Sequence, residues 1–326
     1  MISSVCRRIA LAFATCVAVT AVATAQPYPS RAVRMIVPLA PGGPADTTAR
    51  IFATALGEAI GQNIVVENRS GASGVVGTEA VVRAPADGYT LLFGSSSAFS
   101  VNPAVMKGLR FDVRKDLALI GLASQTDFML VVRAGSDMKS AADVVKRAKA
   151  APGKHTYATS GAGGIIHLTQ ELFNLETGIE LIHLPFRGGG PAVIGILSGD
   201  ADMGFIDVST SLSHIRSGKL TALGIASTRR FAGLPDLPTI IELGWPKVET
   251  RGWYGLAAPA AVPREVIRKL EGATQKIAAS PAFQADLAKV GLQPLVMTPA
   301  ETAAFIEQDL DKWARVAKAA NIQIDQ

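Results

Sequence analysis

The chain of 326 residues carries 32 Lys and Arg against 27 Asp and Glu, a formal net charge of +5, with 48% hydrophobic and 18% charged residues. That length suits about two domains with cores of their own, and the apolar content excludes a disordered chain. The basic residues are scattered, with only short pairs such as Lys146-Arg147 and Arg229-Arg230, which argues against a nucleic-acid footprint.

At the start of the chain, Arg7 and Arg8 precede an apolar run from Ile9 to Val22, and Ala23-Thr24-Ala25 forms a small-x-small pattern before Gln26. This predicts a cleaved secretory signal over 1–25, since the run is too short for a comfortable membrane span and Phe13-Ala14-Thr15 before Cys16 is a poor lipobox. Both cysteines, Cys6 and Cys16, leave with the signal. The exported protein then has no disulfide, no thiol nucleophile and no cysteine metal site.

Strand-like and helix-like segments alternate from there. Strands are predicted over 33–39, 64–67 and 89–93, with helices over 44–60 and 75–83, a rhythm that implies a mainly parallel sheet covered on both faces. The alternation restarts with a strand at 128–136, a helix over 141–150, a strand at 156–159, a helix over 165–175, a strand over 180–186 and a short helix over 192–197. "ADMGFID" and "LTALGIAS" supply two more strands. After "WYGLAAPAAVP" the pattern becomes almost entirely helical, over 264–279, 281–290 and 299–319. Helices without strands of their own must bury their apolar stripes on an existing sheet, and the first domain is the nearest one. The chain then crosses between domains near Phe128 and again near Trp253, with a cleft between them.

The chemistry-bearing stretches are glycine loops between strands and helices. In "PLAPGGPADTTAR" (38–50), Gly42 and Gly43 open the turn, Pro44 suits the first helical position, and Asp46 and Thr47 suit the opening turn. Such a turn leaves backbone N–H groups free at the positive end of a helix dipole, which makes either an anion cradle or simply a well-capped helix. "TSGAGGIIHL" (159–168) and "RGGGPAVIGIL" (187–197) repeat the design, and "GSSSAF" (94–99) offers hydroxyl donors. Several such loops at strand ends favour a ligand in the cleft.

Nucleotide motifs do not fit. No glycine loop has the G-x-x-x-x-G-K-[ST] spacing, and "GAGGII" places Ile166 where a dinucleotide fingerprint needs its last glycine. A secreted serine hydrolase is the alternative from another class. Ser96 lies in a near miss of the G-x-S-x-G elbow, with Ala98 for the final glycine, and Asp207 and His214 follow in acid-then-histidine order. His155, His167, His183 and His214 form no pair at metal spacing, so neither metal nor cofactor is expected. His167, one turn after "SGAGG", is placed to orient that loop or to face the cleft.

Taken in order, "PLAPGGPADTTAR", "VVENRSGASGVVGTEAVVRAPADGYTLLFGSSS", "SGAGGIIHLTQELF", "FRGGGPAVIGILSGDADMGFID" and "STRRFAGLPDLPTIIELGWP" resemble the periplasmic substrate-binding receptors of tripartite tricarboxylate transporters, the Bug receptors. The resemblance spans essentially the whole exported chain. It implies an α/β, two-lobed periplasmic-binding-protein fold of the Venus-flytrap, type II-like kind with two chain crossovers. The expected layout is lobe 1 over 26–126 and 253–326 and lobe 2 over 127–252. It also implies a non-enzymatic, monomeric periplasmic receptor that hands a small carboxylate to the membrane components of its transporter. In the family, main-chain N–H groups and waters at helix-start loops hold the carboxylate. Carried to matching positions, that points to Gly43, Ala45, Asp46 and Thr47, to Ser96 and Ser97, to Ser160, Gly161, Gly163 and Gly164, and to Arg187 and Gly188, with Asp207 closing the "GFID" match. Arg187 is the strong cation among them, suited to a bidentate clamp or to bracing its own turn. Leu39 stands where the family usually has an aromatic residue.

Overall fold

In the computed structural model, which describes residues 27–324, the glycine-bounded segments become a sheet flanked by helices. The expected signal segment 1–25 lies outside the described residues. In chain order the elements are β1 (Val33–Val37), α1 (Pro44–Ile60), β2 (Ile64–Asn68), α2 (Val75–Val82), β3 (Thr90–Ser95), β4 (Leu117–Arg133), α3 (Ala141–Ala150), β5 (Thr156–Thr159), α4 (Ile165–Thr177), β6 (Ile182–Pro185), α5 (Gly189–Ser198), β7 (Met203–Asp207), α6 (Val208–Arg216), β8 (Leu220–Ile225), β9 (Arg251–Pro259), α7 (Arg264–Ala279), α8 (Pro281–Lys289), β10 (Gln293–Pro294) and α9 (Pro299–Ala319). A wide helical turn, Ser97–Val101, and two short turns fill the stretch between β3 and β4.

Local chemistry sets the ends of α1 and α4. α1 starts after Gly43 with Pro44 in its first turn and stops at Gly61, and α4 starts after Gly164 and stops at Gly178. Both terminal glycines are left-handed, with φ of 73° and 65°, where a Cβ would add strain. Along α1, Ala45, Ala49, Phe52, Leu56 and Ile60 recur at helical spacing and are buried.

The ten strands run in the order β2-β1-β3-β9-β4-β7-β5-β6, with β8 and β10 also pairing with β4. β1 is parallel to β2 and β3, and β5 is parallel to β6 and β7. The expected mainly parallel sheet is corrected here: β9 is antiparallel to β3 and β4, and β4 is antiparallel to β7, β8 and β10. The chain leaves the first half of the sheet on β4 and returns on β9, and an outgoing strand beside a returning one is antiparallel. β4 is a single strand of 17 residues rather than one that begins at Phe128. β9, read from sequence only as the approach to the helical tail, is buried at every position after Arg251, so it shows no alternation to read.

β4 pairs with β9 as far as Asp127 opposite Arg251, and from Phe128, opposite Asp207, it pairs with β7. Each half has its own core. Met35, Phe52, Leu56 and Phe93 pack with Val266, Leu270 and Ile277 of α7 in the first, and Phe128, Leu130 and Val132 pack with Phe173 and Phe205 in the second. The result is a two-lobed α/β fold. α7 and α8 cover the first half, as the tail pattern suggested, but α9 reaches further. Its Ile306 and Leu310 pack on the first half, while Trp313, Val316 and Ala317 join Val101 and Val105 to Leu168 and Leu172 of α4.

Candidate ligand-binding cleft

The α1 start is held from behind. Asp46, buried in the first turn, accepts hydrogen bonds from the Gly42 N–H (2.9 Å) and Arg50 Nε (3.0 Å) on one carboxylate oxygen and from Asn68 Nδ2 (3.0 Å) on the other. Burial pushes its carboxyl up, but the bonds from Arg50, Gly42 and Asn68 outweigh this and hold it below the usual range. Asn68 also donates to the Leu39 carbonyl at 3.1 Å, tying β2 to the turn. Asp46 therefore fastens the "PGG" turn with its side chain. The N–H groups of Gly43, Ala45 and Asp46 have no acceptor among the described residues, whereas Thr47 N–H already closes on the Gly43 carbonyl at 3.0 Å.

The α4 start is built on a ring stack. Gly163 N–H donates to His167 Nδ1 at 3.0 Å, so the ring proton of neutral His167 sits on Nε2. His167 stacks on His183 with ring centroids 3.9 Å apart, and Tyr157 lies beside the pair, 5.0 Å from His183 and 6.2 Å from His167. His183 Nε2 shares a 2.6 Å hydrogen bond with Thr159 Oγ1. Burial, with His183 beside it, pushes His167 down to about 3, and burial pushes His183 down to about 4, so the stack is uncharged near neutral pH. His167 orients the loop. Gly163 is left-handed, with φ of 67°, and the space its missing side chain leaves is occupied by Ile324 and Val105. Its N–H is already engaged, so the groups left free here belong to Gly164, Ile166 and His167. Ser97 Oγ accepts from the Ile165 N–H at 3.4 Å, a bond between the two halves.

The third start, at α5, follows Gly188, whose φ of 113° requires glycine and whose N–H donates to the Ser160 carbonyl at 3.1 Å. Gly161, also positive at φ 149°, lets the two loops run side by side. The N–H groups of Gly189 and Gly190 have no acceptor among the described residues. Arg187 is exposed beside them and makes no ion pair or hydrogen bond among the described residues.

The α1 and α5 starts face one cleft of about 860 Å³, lined by Gly43, Thr47, Gly189, Gly190, Thr210 and Gly291, among others. Beside it Asp207, at the end of β7, caps no N–H of α6, and its Oδ2 lies 3.7 Å from where a Gly189 Cβ would stand. Burial pushes Asp207 up to about 6. Tyr254 of β9 is buried close enough to feel its charge. Tyr254 was not singled out from sequence, where an aromatic in "WYGLAAP" reads as core.

The hydrolase constellation does not assemble. Ser96 Oγ is buried with no hydrogen-bond partner, and His214 lies toward the far end of α6 from Asp207, about 10 Å along the helix. Among the described residues no group of acidic, histidine or cysteine side chains is placed to hold a metal ion.

Residues 48–322 match the family described as tripartite tricarboxylate transporter family receptor. Over 311 residues the chain is 36% identical to the protein BugT of Bordetella pertussis, covering 94% of each. The chain belongs to the tripartite tricarboxylate transporter receptor family. Among solved members, an R. palustris protein with adipate is 29% identical with a TM-score of 0.85, covering 92% of this chain and 100% of that one. MatC from Rhodopseudomonas palustris, with bound malate, is 27% identical with a TM-score of 0.81, covering 89% of this chain and 99% of that one. The fold is thus that of a periplasmic binding protein, and membership makes this chain a periplasmic solute receptor by class.

Proposed function

We propose that this receptor binds a small carboxylate between its lobes, chiefly by main-chain N–H groups at the α1, α4 and α5 starts, and delivers it to the membrane components of a tripartite tricarboxylate transporter. The observation that carries the reading is the supply of unpaired N–H groups at helix starts from both halves, Gly43, Ala45 and Asp46 on one side and Gly164, Gly189 and Gly190 on the other. A carboxylate meeting about four such charge-assisted bonds, at roughly 1.5–3 kcal/mol each, gains about 6–12 kcal/mol. Association costs a comparable amount, so useful affinity requires the lobes to close and exclude water. The antiparallel pair β4 and β9, which links the halves, is the natural hinge. In this reading Ser97, Ser160, Gly161 and Gly188 shape the loops, and the exported form starts at Gln26 and acts as a monomer. The relatives with adipate and malate support the ligand class.

The test is calorimetric titration of the ligand-free protein with a panel of small mono- and dicarboxylates. Micromolar or tighter binding by one of them is expected. If none binds, the receptor reading fails, and labelling of Ser96 by a fluorophosphonate probe would put the hydrolase in its place.

A further inference from the structure

Asp207 is unusual among the charged groups of the cleft. It is 8% exposed, it accepts no hydrogen bond from another residue among those described, and no cation faces it. Every other strongly buried carboxylate among the described residues has a partner: Asp46 has Arg50 and Asn68, Asp127 has Gln293, and Asp309 has Ser100 and Trp253. The one donor to Asp207 is its own backbone N–H; a desolvated carboxylate so poorly supplied is costly, and such a cost is retained where a ligand supplies the missing donor. Tyr254, 5% exposed, belongs to the opposite half and registers on Ser124 of β4 as Asp207 registers on Phe128, and its hydroxyl also makes no hydrogen bond among the described residues. Ser95 and Ser124 pair with Tyr254 in the sheet on either side, and both have buried hydroxyls with no partner. Asp207 thus stands beside Gly189 on one half, while Ser95, Tyr254 and Ser124 sit side by side in the sheet of the other.

We propose that Asp207, with Tyr254 across the cleft, selects carboxylates that carry a hydrogen-bond donor, a hydroxyl or an ammonium group, at the end remote from the carboxylate held by the helix starts. An unsubstituted dicarboxylate would set a second negative charge against Asp207 and is rejected. This rests on the receptor reading above and adds the chemistry of the ligand's other end.

The experiment is titration calorimetry at pH 8 on ligand-free protein. The probes are linear carboxylates of increasing length, each in four versions that end in methyl, hydroxyl, ammonium or carboxylate. At the length that fits, the hydroxyl or ammonium version should bind at least tenfold more tightly than the methyl and carboxylate versions. Asp207→Asn should remove most of that preference and strengthen binding of the dicarboxylate, an inversion that a merely structural role would not produce. Tyr254→Phe should weaken the preferred probe several-fold, and melting of both variants checks that they fold. A dicarboxylate as the best wild-type ligand, or an unchanged ranking in Asp207→Asn, overturns the inference while leaving the receptor intact. Failure of every probe to bind the wild type overturns the receptor reading and this inference with it.

Discussion

Asp46 shows how one side chain fastens a helix start. Its carboxylate draws in the Gly42 N–H, Arg50 and Asn68, while the N–H groups of Gly43, Ala45 and Asp46 keep no acceptor among the described residues. Asp46→Ala should cost about 1–3 kcal/mol in denaturant unfolding at pH 7, since a charge-assisted network is lost and the turn loosens. The folded carboxyl titrates below its ordinary range, so its stabilisation is present above the unfolded pKa and lost as the pH falls through the folded one. The gap between wild type and variant should therefore narrow at strongly acid pH. Arg187 has the opposite character, exposed and without a partner among the described residues. Arg187→Ala should reduce carboxylate affinity by about 1 kcal/mol or less in calorimetry, the worth of a solvated ion pair. A loss of all binding would make the arginine, and not the helix starts, the recognition element.

The two strands and the helix that carry Tyr157, His183 and His167 form one titrating unit beneath the α4 start. Both histidines have folded pKa values far below the ordinary 6.5, at about 3 and about 4. The unfolded chain therefore takes up protons first as the pH falls. Their contribution to stability is full above about pH 6.5 and declines toward pH 4. Asp207 works against this, because its raised folded pKa of about 6 gives stability that is present below the unfolded value of 3.8 and is lost as the pH rises through 6. His183→Phe, which keeps a ring in the stack, should flatten the loss of stability between pH 6.5 and 4 relative to wild type, measured by thermal melting across that range. An unchanged slope would mean that the pair is not buried in solution as described.

Across the molecule, α9 does more than cover a sheet. Asp309 anchors it to the first half through Ser100 (2.5 Å) and Trp253 (2.9 Å), Phe99 stacks on Trp253 at 5.5 Å, and Trp313 fills the core that α4 shares with Val101 and Val105. Ile324, just beyond the helix, bonds through its backbone to Val105 and Lys107 and rests against Gly163. A helix that spans both halves couples the lobes through packing as well as through the hinge strands. Trp313→Ala removes a fully buried ring and should cost about 3–5 kcal/mol in unfolding experiments. Small-angle scattering of the ligand-free variant should also show a more open particle than the wild type.

Much of this protein is written locally. The helix starts after Gly43 and Gly164, the stop at Gly61 and the alternating halves are legible because proline and glycine geometry and apolar periodicity act over a few residues, whereas α5 begins at Gly189 rather than 192 and α4 runs to Thr177 rather than 175. The family membership also follows from the order of those local motifs. The remainder depends on residues distant in the chain, which leave no periodic trace. Asn68 reaches Asp46 across 22 positions, and Ile324 takes the space beside Gly163, which sequence assigned to a ligand. β9 is buried at every position after the first, so its pattern did not distinguish a crossing strand from the lead into a helix. Tyr254 and Asp207 register on one strand, opposite Ser124 and Phe128 of β4, only because β9 returns beside it, and the cleft exists where two lobes bring such ends together. Backbone conformation is a property of neighbours in sequence, whereas desolvation and the partnering of buried charges are properties of neighbours in space.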